Sequence, residues 1–149
     1  MKFLIILITS LALPTSVAAN IVTRYGASKG YAHYFEGALV SRDKAGWTDD
    51  GISSGSLQLV RDGDAFDIIV TDAAGTKSLR ADGFQVLNVP QPKPDFVAVL
   101  SIHRTTGVVE HFLFQLDGQG RGTVVWGSIK GSGATLQKSS LLKATCNSP

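Results

Sequence analysis

The chain has a single cysteine, Cys146, a single methionine, and no excess of charge of either sign, with 14 basic and 12 acidic residues among 149. One cysteine excludes an internal disulfide, so the hydrophobic core alone must hold the fold. The charges are interspersed, and the chain lacks the one-signed field that steers nucleic acid or an anionic membrane; neither is expected as a partner. Only one long apolar run occurs, FLIILITSLAL after Lys2. Pro14 ends it well short of the roughly 20 residues that a membrane-spanning helix needs, and no second candidate follows.

That run has another reading. A charged start, a short apolar centre and the small residues Val17, Ala18 and Ala19 form the pattern of a secretory signal peptide cut after Ala19. Residues 1–19 are therefore expected to be removed and residues 20–149 to be exported, to the periplasm or beyond. No cysteine stands beside the cut to take a lipid. The expected mature chain has 130 residues, 13 of them basic and 12 acidic. That is enough for a single domain burying roughly two-thirds of the surface its unfolded chain would expose.

What the sequence does contain is a succession of strand and turn signals. In residues 108–130, VVEHFLFQL and TVVWGSIK flank the turn DGQGRG. Side chains of a strand alternate between faces, so Val108, Phe112, Phe114 and Leu116 share a face expected to be core, opposite Val109, His111, Leu113 and Gln115. On the returning strand Val124 and Trp126 lie on one side, Val125 and Ile129 on the other. Apolar groups on both sides predict a central hairpin. Upstream, SLQLV and AFDIIVT enclose RDGD, a hairpin signal. KSLRA and FQVLNV follow around Asp82 and Gly83, and Pro90, Pro92 and Pro94 then interrupt pairing as a stiff connector. DFVAVLSIH, the turn RTTG, the loop GSGA and a last strand over residues 137–145 complete the series. Near the start, Tyr25, Tyr31, Tyr34 and Phe35 favour strands, although residues 31–40 also suit a short helix. DKAGWTDDGISSG is a loop by composition. The pattern predicts an all-β single domain, a small antiparallel up-and-down barrel or sandwich of about eight to ten strands, with closure removing exposed edges.

The strings YGASKGYAHYFEG, GWTDDGIS and QLVRDGDAFDIIVTDAAG resemble a group of short exported bacterial all-β proteins, over most of residues 20–149. The resemblance implies one compact exported domain. It carries over no activity and no catalytic residue.

Chemistry-bearing patterns are sparse. Gly118, Gly120 and Gly122 lie between two strands, whereas a phosphate-cradling loop leads into a helix, so a plain hairpin turn is expected. Asp62, Asp64 and Asp67 lack the glycine and terminal glutamate of a calcium loop. His103 and His111 are expected in one neighbourhood across RTTG, as a solvated pair without a third zinc ligand, because Glu110 points away from His111. His33 is expected to be a partly buried aromatic. Cys146, in a serine-rich tail, has no cationic neighbour but Lys143 and is expected to be a spare thiol. No metal and no cofactor is implied. The candidate recognition surface is the loop over residues 46–51, with Trp47 as a flat contact and Asp49 and Asp50 beside it; the alternative, the stronger of the two, has Trp47 closing one end of the barrel as a plug and the two aspartates capping the following turn. Exchanging both aspartates for asparagine is expected to leave stability nearly unchanged. The reading is a non-catalytic binding or interaction module of the cell envelope, holding a small ligand or docking on an exported protein. Two alternatives are an inhibitor or docking partner of an envelope hydrolase and a carbohydrate-directed enzyme using Asp49 and Asp50.

Overall fold

A computed structural model describes residues 20–72 and 75–147; the expected signal peptide lies outside the described residues. Among the described residues, eleven strands form one antiparallel sheet curled into a half-barrel. In chain order they are β1 (Asn20–Tyr25), β2 (Ser28–Tyr34), β3 (Gly46–Ile52), β4 (Ser56–Asp62), β5 (Ala65–Asp72), β6 (Gly75–Ser78), β7 (Gln85–Val89), β8 (Phe96–His103), β9 (Val108–Leu116), β10 (Gly122–Lys130) and β11 (Lys138–Asn147). The expected all-β class and single small domain are what the fold shows.

Two meanders account for most of the sheet. Strands β7 to β11 pair in succession, as do β4 to β6, and β1 lies between β11 and β4. The tight hairpin after β4 turns at Gly63, whose φ of 59° suits the first central position of a two-residue loop. At the far side the sheet nearly closes. There the Asn88 amide receives the Phe66 N–H at 3.1 Å and donates to the Asp64 carbonyl at 3.1 Å, standing in for a ladder between β7 and β5.

The β9–β10 hairpin is interior, as expected, but the strand that organises the sheet is β11. One edge of β11 pairs with β10 along Lys138 to Thr145. Its other edge is shared: β2 takes Lys138 to Lys143, and β1 takes Cys146 and Asn147. The chain turns at Gly26 and Ala27 between these two strands, so the sheet forks, with β4 continuing from β1 and β3 from β2. Gly30 permits the β2–β11 contact, because a Cβ there would collide with the Leu141 carbonyl.

Two local expectations differ. Gly46–Ile52, expected as a loop, is strand β3, paired with β2 from Ser28↔Ile52 to Tyr34↔Gly46. Its polar residues are tolerated because it is an edge strand, where a partner's free edge outweighs the low strand propensity of Gly and Asp. Residues 31–40 form no helix: β2 runs to Tyr34, a Gly37↔Val40 bridge follows, and a single 3-10 turn covers Arg42–Lys44.

Alternation puts Phe112, Phe114, Val124 and Tyr25 on the concave side, where they join Leu57, Leu59, Ile68, Val86, Val99 and Ala144 in one core. Phe112 stacks between Phe114 and Trp126, with ring centroids 6.3 and 5.5 Å away. The register thus matches the expected inward face of β9.

Candidate ligand-binding site

The fork leaves a cavity of about 310 Å³ on the concave side. Ile52 and Gly55 stand at one side, where β3 gives way to β4, and Thr71, Lys77, Leu79, Asp82 and Phe84 close the other. The 78–84 segment is pinned by backbone bonds from Leu79 N–H to Ile68, Asp82 N–H to Ser78 and Phe84 N–H to Leu79, at 2.9 to 3.0 Å. The floor comes from β9, β10 and β11, with Glu110, Val124, Trp126, Lys130, Leu142 and Ala144.

Glu110 is the unusual residue of that floor. It occupies the core face between Val108 and Phe112 and is only 7% exposed. Its register partners on β8 and β10 are Ser101 and Ser128, both buried, and neither hydroxyl finds a hydrogen-bond partner among the described residues. Burial pushes the Glu110 carboxyl up to about 7, partly offset by the Lys130 ammonium. Glu110 and Lys130 form no ion pair with each other among the described residues. Residues of the cavity wall hold further unsatisfied atoms, among them Ser28 Oγ and Trp126 Nε1. A buried polar group without a partner costs about 1–3 kcal/mol, which is why such atoms are rare in folded proteins. Those that line the cavity leave hydrogen-bonding groups directed at neither strand nor side chain.

The residues singled out from the sequence are distributed differently. On β3, Trp47 and Asp49 face the convex side, Trp47 being 73% exposed, with the His33 ring 5.4 Å away. Asp50 faces the concave side and is engaged: it accepts from Lys138 Nζ at 2.6 Å and from the Tyr34 hydroxyl at 3.2 Å. Burial alone would raise its carboxyl, but Lys138, the Gly51 N–H and Tyr34 outweigh that and hold it below its ordinary value. Asp49 and Asp50 therefore stand on opposite faces and do not converge on one bond.

The histidines do not form a pair. His103 faces inward, with Nδ1 bonded at Thr106 and its ring 4.9 Å from Phe84. His111 lies on the convex face across Gly127, whose missing side chain leaves room for the imidazole. His33 is half-buried between Phe35 and Trp47. Among the described residues no three His, Cys, Asp or Glu side chains are grouped to hold a metal ion. The glycine-rich turn is a hairpin loop. Asp117 accepts from the N–H groups of Arg121 and Gln119, and those bonds, with the Arg121 guanidinium, keep its carboxyl below its ordinary value. Cys146 is not in a loose tail: it lies on β11, bonded with Thr23 Oγ1 and donating to the Gly120 carbonyl at 3.1 Å.

The sequence passed over Glu110 and Trp126 as site residues, yet a signal was present. An acidic residue in alternation with Val108, Phe112 and Phe114 must sit on a core face, where a carboxylate needs a reason to be. Its neighbours could not be read, because the cavity is made by a fork between strands distant in sequence.

The fold is a curled all-β half-barrel with a cavity on its concave side. No family model, curated protein or solved structure matches the chain. Among the described residues no helix is long and apolar enough to cross a membrane.

Proposed function

We propose that this is a small exported binding module, non-catalytic, which holds a small ligand in the cavity at the fork of its sheet. The observation that carries the reading is the set of polar groups around one cavity: the buried Glu110 carboxyl and the unsatisfied Ser28 hydroxyl and Trp126 indole N–H, among walls of Leu57, Val70, Phe84 and Leu142. An apolar pocket with a few convergent polar groups and a perturbed carboxyl is the usual form of a small-molecule site, and about 300 Å³ is the lower end of the usual size. Export rests on the signal-peptide pattern of residues 1–19. A thermal-shift screen with pooled sugars, lipids and amino acids tests the reading. At least one pool should raise the melting temperature of the wild type. Ala144→Leu, which adds bulk to the cavity, should remove the effect, while Gln115→Ala on the convex face should keep it. A shift that survives Ala144→Leu would move the site elsewhere.

A second reading, docking on an exported protein, is favoured by the convex face. There Trp47, Tyr31, Leu141 and Ile129 are each more than half exposed, and β3, β2, β11 and β10 bring them side by side. An envelope pull-down lost in Trp47→Ala but kept in Ala144→Leu would favour it.

A further inference from the structure

We infer that the occupant of the cavity is a small zwitterion, an α-amino acid with an apolar side chain, bound by its ammonium at Glu110 and by its carboxylate at Lys130 and the Trp126 indole N–H. The inference rests on the ligand-site reading above and adds the chemistry of the ligand. It begins with two opposite charges that line one cavity without pairing. In the β9–β10 register Glu110 stands opposite Ser128 and Lys130 opposite Val108, so the two are diagonal neighbours on the same concave face. Such neighbours are separated by roughly 7–8 Å at the backbone, within reach of two long side chains. Other charges nearby are already engaged: Lys77 pairs with Asp82 at 3.2 Å at the cavity wall, and Lys138 pairs with Asp50 at 2.6 Å.

The alternatives leave a charge unanswered. A neutral sugar brings neither an ammonium to Glu110 nor a carboxylate to Lys130, so neither charge gains a direct partner. A fatty acid satisfies Lys130 and brings a second anion towards Glu110. A simple amine satisfies Glu110 and brings a second cation towards Lys130. An α-amino acid carries both charges on adjoining atoms, and its carboxylate also accepts from Trp126 Nε1, an obligate donor that otherwise has no partner. The Ser28 hydroxyl is a further donor on the wall, and Leu57, Val70, Val124 and Leu142 receive an aliphatic side chain.

The test is isothermal titration with three compounds of one carbon skeleton: L-leucine, isopentylamine and 4-methylpentanoate. L-leucine should bind at least about tenfold more tightly than either singly charged analogue. Glu110→Gln should weaken L-leucine by about tenfold or more while leaving 4-methylpentanoate unchanged or tighter, and Lys130→Met should weaken both carboxylates while tightening isopentylamine. This crossed pattern cannot come from a variant that simply folds poorly. Leucine affinity should also rise from about pH 6 to about pH 8 in the wild type and stay level in Glu110→Gln. Equal binding of the three compounds, or binding of a sugar or lipid pool alone, would overturn the zwitterion and leave the cavity as a ligand site. No binding of any probe or pool would overturn both, with Glu110 and Lys130 serving only each other.

Discussion

Glu110 and Asp50 are both acidic residues on the concave face, and their surroundings drive them in opposite directions. Glu110 lacks a hydrogen-bond partner among the described residues, so burial raises its carboxyl to about 7 from an ordinary value of 4.5. The native state then holds a proton that the unfolded chain has lost, so stability falls as the pH rises from about 4.5 to about 7 and is level above that. The loss is on the order of 3 kcal/mol, and urea titrations across this window should show it in the wild type and not in Glu110→Gln. Asp50 has the reverse sign. Its carboxyl is lowered by its partners, so its contribution is present above the ordinary carboxyl range and disappears as acid protonates it in the native state. Its side chain and that of Lys138 are 13% and 15% exposed, so Asp50→Asn would leave a part-buried ammonium without its carboxylate. Breaking a fully buried pair from one side costs about 3–5 kcal/mol; this pair is part-buried, so Asp50→Asn should cost less than that, while Asp49→Asn changes little. The expectation that both substitutions are silent came from reading residues 46–51 as a loop. The strand separates the two aspartates, and equal unfolding midpoints for the two single variants would contradict that placement.

At the scale of elements, the alternation of Val108, Phe112 and Phe114 was legible and the pairing partners were not. A period of two fixes which side chains share a face, whatever the neighbours are. Phe112 and Phe114 are 1% and 0% exposed, so Phe112→Ala and Phe114→Ala should each cost about 3–5 kcal/mol, against little for exposed Gln115→Ala. Equal melting temperatures for Phe114→Ala and Gln115→Ala would show the register to be wrong. Strand β3 was missed because its pairing with β2 comes from the tertiary fold and GWTDDGI has a weak strand pattern. The role of β11 was equally hidden, since KSSLLKATCN looks like an ordinary terminal strand and its second edge is divided between two segments. Gly30→Ala tests that junction. The added methyl would meet the Leu141 carbonyl, and the variant should be strongly destabilised, whereas Gly118→Ala, with open space around it, should be nearly neutral in the same unfolding assay.

For the whole molecule, class and single-domain size followed from short strand signals and frequent turns, but the forked sheet did not. A fork depends on where β1 and β2 part along one edge of β11, and neither composition nor periodicity encodes that. The cavity is a product of the fork, so the candidate site could not be assembled from local motifs even though Glu110 was visible as an acidic residue on an inward face. The export reading belongs to this scale too, and intact mass of protein recovered from the envelope or medium should correspond to a chain beginning at Asn20. The central claim is that ligands enter the concave cavity. The chain has two tryptophans, Trp126 at the cavity wall and Trp47 exposed on the convex face, so their indole N–H signals in a nitrogen-correlated NMR spectrum report the two surfaces separately. Titration with pooled sugars, lipids and amino acids should shift the Trp126 signal with at least one pool and leave Trp47 in place; a shift of Trp47 alone, or of neither, would contradict the account.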